Sequence, residues 1–113
     1  MLIVNKSITL DKLNKIAQTR FGNFVKAVVD IEKEIIAIDG ELHSDEEALL
    51  LEKGSDQENV WGINLYPELK DDDFIEFDSM INLRPSAQNM SRSIDNTKIR
   101  KKIIKIIDRL ITR

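Results

Sequence analysis

The chain carries one phrase twice, Ile63-Asn64-Leu65-Tyr66-Pro67 and Ile81-Asn82-Leu83-Arg84-Pro85. In both copies apolar and polar residues alternate, and the run ends against a proline. Period-two alternation is the mark of a strand with one buried face. The proline holds the residue before it, Tyr66 or Arg84, in extended geometry and offers no N–H to a ladder. The spacing therefore predicts strands over Trp61–Tyr66 and Phe74–Arg84, joined by the acidic loop 67–73. With these as strands, the rest of the chain supplies further strands and the helices that cover them.

Working outward toward the N-terminus, Phe24–Glu32 is rich in valine, and Glu34–Asp39 follows after the charged break at Lys33. Together they predict a hairpin, with Val25, Ala27, Val29 and Ile31 on one face and Ile36 and Ile38 on one face of the partner. Met1–Val4 suits an edge strand. Thr9 is placed to cap a helix over 10–21, Ile8 and Leu13 can staple its start, and Gly22 can close it. Residues 44–54 carry two patterns. Ser44-Asp45-Glu46-Glu47 has capping-box spacing, while Leu49-Leu50-Leu51 between turn signals suits a buried strand. A strand returning from His43 continues the simplest meander and is the expectation adopted. Ser55-Asp56-Gln57-Glu58 predicts a single helical turn.

Toward the C-terminus, residues 86–94 read as a polar loop and Asp95 as the N-cap of a closing helix. Ile99, Ile103, Ile106, Ile107, Leu110 and Ile111 recur at three-and-four spacing, opposite Lys98, Lys102, Lys105 and Arg109. The sum is an α+β domain spanning 1–113: an antiparallel β-sheet meander with N- and C-terminal amphipathic helices packed on one face.

Composition narrows the function classes. With no cysteine, disulfides, thiolate metal sites and cysteine nucleophiles are excluded. No stretch approaches the ~18 apolar residues of a membrane span and no signal-peptide core is visible, so a soluble cytoplasmic protein without membrane contact is expected. Charge is divided: residues 1–83 carry a balance of −10 and residues 84–113 one of +7. Such a dipolar chain can pair with a second copy or offer a basic helix to an anionic partner. For nucleic acid the acidic remainder and the lack of an aromatic platform argue against binding.

Alternation also sorts the candidate site residues. Trp61, Ile63 and Leu65 would face the helices, leaving Asn64 and Tyr66 on the other side with Asn82 and Arg84. If Gly40–His43 is strand, Glu41 and His43 share that side. The resulting set of Glu41, His43, Asn64, Tyr66, Asn82 and Arg84 mixes a titratable base, a carboxylate, two amides and a guanidinium, as a polar ligand site requires. A solvent-facing sheet would show the same alternation. His43, the only histidine, is the candidate base with Glu41 beside it. It lacks the paired spacing of a metal site, and no cofactor motif is evident. Arg84 and Arg92, with Asn89 and the serines at 86, 91 and 93 before a helix N-terminus, make a candidate anion site, although no glycine there permits close backbone approach.

The segment Gly40-Glu41-Leu42-His43, the phrase Gly54-Ser55-x-Gln57 leading to Trp61-Gly62-Ile63-Asn64, and Ser79-x-Ile81-Asn82-x-Arg84-Pro85 with Asn89 and Ser91 resemble a small prokaryotic family of unknown function. The likeness runs from Val25 to the last helix. It implies a stand-alone domain known mainly through structural genomics, and it brings no catalytic residues. The readings carried forward are a domain binding a small polar or anionic ligand or an enzyme of unassigned reaction, then a homodimeric interaction module, then a nucleic-acid binder.

Overall fold

Branched aliphatic residues fill the central strands, as expected where a strand is buried on both faces. The computed structural model describes all 113 residues. Its main sheet has five strands in the order β1-β4-β3-β5-β6: β1 is Leu2–Val4, β3 Val25–Asp30, β4 Ile35–Ile38, β5 Val60–Leu65 and β6 Ile75–Glu76. Every neighbouring pair is antiparallel. The register places Ala27 opposite Ile38 on one side and opposite Ile63 on the other. A second, two-stranded parallel pair joins β2 (Ile8–Thr9) to β7 (Ile111–Thr112), tying the entry to the first helix to the exit of the last.

Helix α1 spans Leu10–Arg20 and α3 spans Thr97–Leu110. Thr9 caps α1 by accepting from the Lys12 N–H at 3.1 Å, and the chain leaves through Gly22 at φ +99°, a conformation glycine adopts at little cost. Leu13 and Ala17 of α1 and Ile103, Ile106, Ile107 and Leu110 of α3 join one apolar core with Val25, Ala27, Val29, Ile63 and Leu65 of the sheet. Each such large aliphatic side chain contributes about 1.5–3 kcal/mol on burial. The cap of α3 is Asn96 rather than Asp95; its Oδ1 accepts from Lys98 and Ile99.

Two further expectations fail. Residues 44–54 do not return as a strand, since His43–Glu52 is helix α2. The helix buries His43, Glu46 and Leu50, at three-and-four spacing, and leaves Leu51 at the surface, a pattern with period 3.6 rather than two. Leu50 packs with Val28, Ala37 and Val60, so α2 lies on the sheet face opposite the main core and covers what alternation alone left open.

The second phrase is not a strand either. Beyond Glu76 the chain leaves the sheet, and residues 79–92 lie across β5 as a loop with 3₁₀ turns at Met80–Asn82 and Pro85–Ala87. Gly62 makes this possible. A Cβ there would meet Ser79 Cβ and Oγ at 2.6 Å, too close for any side chain.

Candidate functional site

An asparagine side chain carries one acceptor and a two-proton donor, the same groups a strand residue presents through its backbone. Asn82 uses them in that way. Its Oδ1 accepts from the Gly62 N–H and its Nδ2 donates to the Gly62 carbonyl, both at 2.8 Å, with a further bond to the Arg92 carbonyl at 3.1 Å. Arg84 completes the arrangement. Its guanidinium donates to the carbonyls of Ile81, Gln57 and Val60, reaches Glu47 Oε2 at 3.3 Å and stacks 4.8 Å from the Trp61 ring. Burial lowers the Arg84 pKa, partly offset by Glu47. Asn89 is buried inside the loop, where its amide bonds the carbonyls of Asn82, Ser91 and Ser93 and accepts from the Asp95 N–H.

The loop is thereby closed as an anion site. Asp95 accepts from Met90 N–H and Ser91 Oγ, occupying donors an anion would need. Arg92 pairs with Asp78 at 2.8 Å, and Arg100 donates to Ile94 O and to Ser93 Oγ. Asn82 and Arg84 thus hold the loop to β5, while Asn89, Asp95, Arg92 and Arg100 hold it to itself and to its neighbours. Glu41 stands apart from all of them on the exposed turn before α2.

Where α2 begins, on the face it covers, the chemistry is different. Lys26 of β3 lies opposite Asn64 of β5, and Asn64 opposite Glu76 of β6, so the three side chains form a row across the sheet. Asn64 Nδ2 donates to Glu76 Oε1 at 2.8 Å and to the Asp78 carbonyl at 3.3 Å. Its Oδ1 is buried and has no hydrogen-bond partner, which is costly for an amide oxygen away from water. Tyr66 adds its hydroxyl, donating to Glu76 Oε1 at 3.2 Å, and its ring lies 5.5 Å from that of Phe24.

His43, the first residue of α2, points down onto this row. Its Nε2 lies 2.7 Å from the Ile63 carbonyl. A carbonyl only accepts, so Nε2 carries the proton and Nδ1 keeps its lone pair. Burial lowers the His43 pKa, opposed by the Ile63 carbonyl and reinforced by Lys26. Asn64 also favours the protonated ring, although no hydrogen bond of ordinary length joins the two.

One turn further along α2, Glu46 is fully buried. Its Oε2 accepts from the Gly40 N–H at 2.9 Å while Oε1 has no partner. Burial pushes its carboxyl up to about 9, against the pull of the Gly40 N–H and Lys26.

Residues 2–110 match the family described as protein of unknown function, DUF5674. The chain belongs to this family. No curated protein matches it, nor does any solved structure.

Within this DUF5674 chain, the structure brings His43, Asn64 and Tyr66 together and assigns Asn82, Arg84 and Asn89 to the loop's own bonding. Lys26, Glu46, Glu76 and Asp78 are members of the polar end that sequence reasoning passed over. Lys26 offered a signal, as the one charge inside the run Val25-Lys26-Ala27-Val28-Val29. Glu46 offered none, since it lies inside the Ser44–Glu47 capping-box pattern without being its terminal acid; the structure has Leu42 at the N-cap with no side-chain cap. No group of three or more His, Asp or Glu side chains is arranged to hold a metal ion. On α3, Lys98, Lys101, Lys102 and Lys105 line a shallow cleft of about 440 Å³ beside Glu34.

Proposed function

We propose that this chain is a binding domain for a small, donor-bearing polar molecule such as an amine or a polyol, held at the end of the sheet by Asn64, His43, Tyr66, Glu76 and Asp78. The observation that carries the reading is the buried Asn64 Oδ1 without a partner, an acceptor kept out of water at a cost that a ligand donor would remove. The surroundings favour the same polarity. The Glu76 carboxylate and a neutral imidazole with a free lone pair stand nearby, and Asp78 offers its backbone carbonyl while Arg92 holds its carboxylate. Lys26 is drawn over the Phe21 ring, and the Tyr66 and Phe24 rings offer faces to a cation. An anion is disfavoured because Arg84 and Arg92 are committed to protein acceptors. The absence of cysteine fits work in a reducing compartment such as the prokaryotic cytoplasm.

The test is a thermal-shift screen of small amines, polyols and, as a contrast, phosphates and dicarboxylates. A true ligand at a hundred times its Kd stabilises the native state by about 2.7 kcal/mol. The expected result is a hit among the donor-bearing compounds whose shift disappears in Asn64→Ala and in Glu76→Gln. A hit that stabilises both variants as well as the parent, or hits confined to the anions, would rule the reading out.

A further inference from the structure

On the opposite side of the sheet, between α3 and the segment 70–77, runs an open groove of about 910 Å³. Its floor is apolar, built from Phe74, Phe77, Ile104, Ile107 and Ile111. Within this floor Ile104 is 47% exposed. The rim carries three cations, Lys70, Arg100 and Arg113, and three carboxylates, Asp71, Asp72 and Asp108. None of the six takes part in an ion pair. Arg100 and Arg113 instead lie over the Phe77 and Phe74 rings, at 4.8 and 4.9 Å.

From this balance we infer that the groove is the docking surface for a second copy of the chain, related by a two-fold axis. A nucleic acid or a fatty-acid head group would meet three carboxylates along with the cations, and a polycation would meet three basic groups. A surface bearing both signs around an apolar floor can be met by its own inverted copy, which brings cations, acids and apolar floor of the same kind. In an isologous pair the same patch appears twice, inverted, so the cations of one copy can face the acids of the other while the apolar floors close together. Desolvation of Ile104 and of the rest of the apolar floor supplies the non-directional part of the attraction. The polar end of the sheet plays no part, so the proposal stands apart from the ligand reading above.

Sedimentation equilibrium of the whole chain, from micromolar to millimolar concentration at low and high salt, tests it. The expected result is a reversible dimer that weakens as salt rises, because rim pairs are screened over about 10 Å at 0.1 M salt. Ile104→Asp changes an exposed residue, leaves the fold intact by circular dichroism, and raises the dimer Kd by about tenfold or more, the equivalent of about 1.4 kcal/mol. Two charge-reversed forms sharpen the test. Lys70→Glu with Arg113→Glu, and Asp72→Lys with Asp108→Lys, are each expected to stay monomeric alone and to associate when mixed. A monomer throughout the concentration range overturns the proposal, as does a dimer insensitive to Ile104→Asp and to both charge reversals. A monomer whose melting temperature rises with dodecanoate, and not once Ile104 is Asp, would give the groove to a small amphiphile and equally overturn it.

Discussion

The tripeptide Ile-Asn-Leu occurs at 63–65 and again at 81–83, and the two copies have opposite fates. The first lies in a strand with both backbone ladders served, by β3 on one side and β6 on the other. The second is a 3₁₀ turn whose backbone pairs with no strand. Its asparagine nevertheless bonds to β5 as a strand residue would, through the side chain. What separates them is the company each keeps. Asn64 faces a neighbouring strand that is present and a helix overhead, so its amide is left partly unused. Asn82 faces Gly62, a position with no side chain, and the amide takes the place of the missing strand. An amide in a β-rich sequence can thus be spare capacity or a fastening, according to what lies opposite.

The contrast is broken most severely at Asn82. Asn82→Ala strands a buried N–H and carbonyl of Gly62 together with the Arg92 carbonyl, and is expected to cost about 3–5 kcal/mol by urea denaturation at the customary cost of orphaned buried polar groups. A loss below about 1 kcal/mol would mean that water replaces the amide readily and that the loop is not fastened there.

The next effect belongs to the other side, where ionisable groups rather than amides are buried. Glu46 titrates near 4.5 when unfolded and about 9 when folded, so the native state holds its proton over that window. Stability contributed by the neutral acid is complete below pH 4.5 and is lost as pH rises toward 9, by up to about 1.4 kcal/mol per pH unit. His43 acts in the reverse sense. Its folded pKa lies below 6.5, so its contribution is complete above that value and falls away in acid. Below pH 6.5 the two slopes oppose each other, so unfolding measured from pH 5 to 9 should show little change up to about pH 6 and a decline above it. In Glu46→Gln the alkaline decline should flatten and the acid limb of His43 should emerge below pH 6.5; an unchanged alkaline limb would show that Glu46 ionises without penalty.

Arg84 and Tyr66 hold matching places in the two phrases and sharpen the comparison further. Arg84→Lys removes the fork that reaches three separate carbonyls and is expected to cost about 2 kcal/mol. Tyr66→Phe removes one bond to an exposed carboxylate and should cost about 0.5 kcal/mol or less. The smallest stability effect is expected at Asn64→Ala, close to zero, because the loss of its bonds is offset by removal of an unpartnered oxygen. A cost at Asn64 equal to that at Asn82 would erase the distinction between them.

Much of the architecture was legible because it rests on period. The isoleucines of α3, the valines of β3 and the Thr9 cap each announce themselves through spacing. Helix α2 did not. Its buried positions include Glu46, its surface includes Leu51, and its cap is a leucine without a side-chain bond, so the apolar stripe is broken and the Ser44–Glu47 capping-box spacing was the one cue near its true start. The second phrase misled for a related reason. Alternation reports which residues could share a face, whereas the turn at Met80–Asn82 follows from the hollow above Gly62, which belongs to a segment some twenty residues away. The polar end was half legible: His43, Asn64 and Tyr66 stand out by type, while Lys26 and Glu76 matter only through a strand register that one sequence does not display.

Gly62 and Asn82 have a consequence beyond the single molecule. Strand β5 is the apolar run Val60-Trp61-Gly62-Ile63, and past the short β6 its outward N–H and C=O groups would face solvent. Such a row is a template for another chain's backbone, and repetition of that pairing is how cross-β aggregates grow. Here the row is spoken for: the Val60 carbonyl by Arg84 and both Gly62 groups by Asn82. Two side chains from a loop therefore do what other sheets do with a bulge, a proline or an extra strand. They occupy the part of β5 that β6 leaves uncovered, so no second chain can pair there without displacing them.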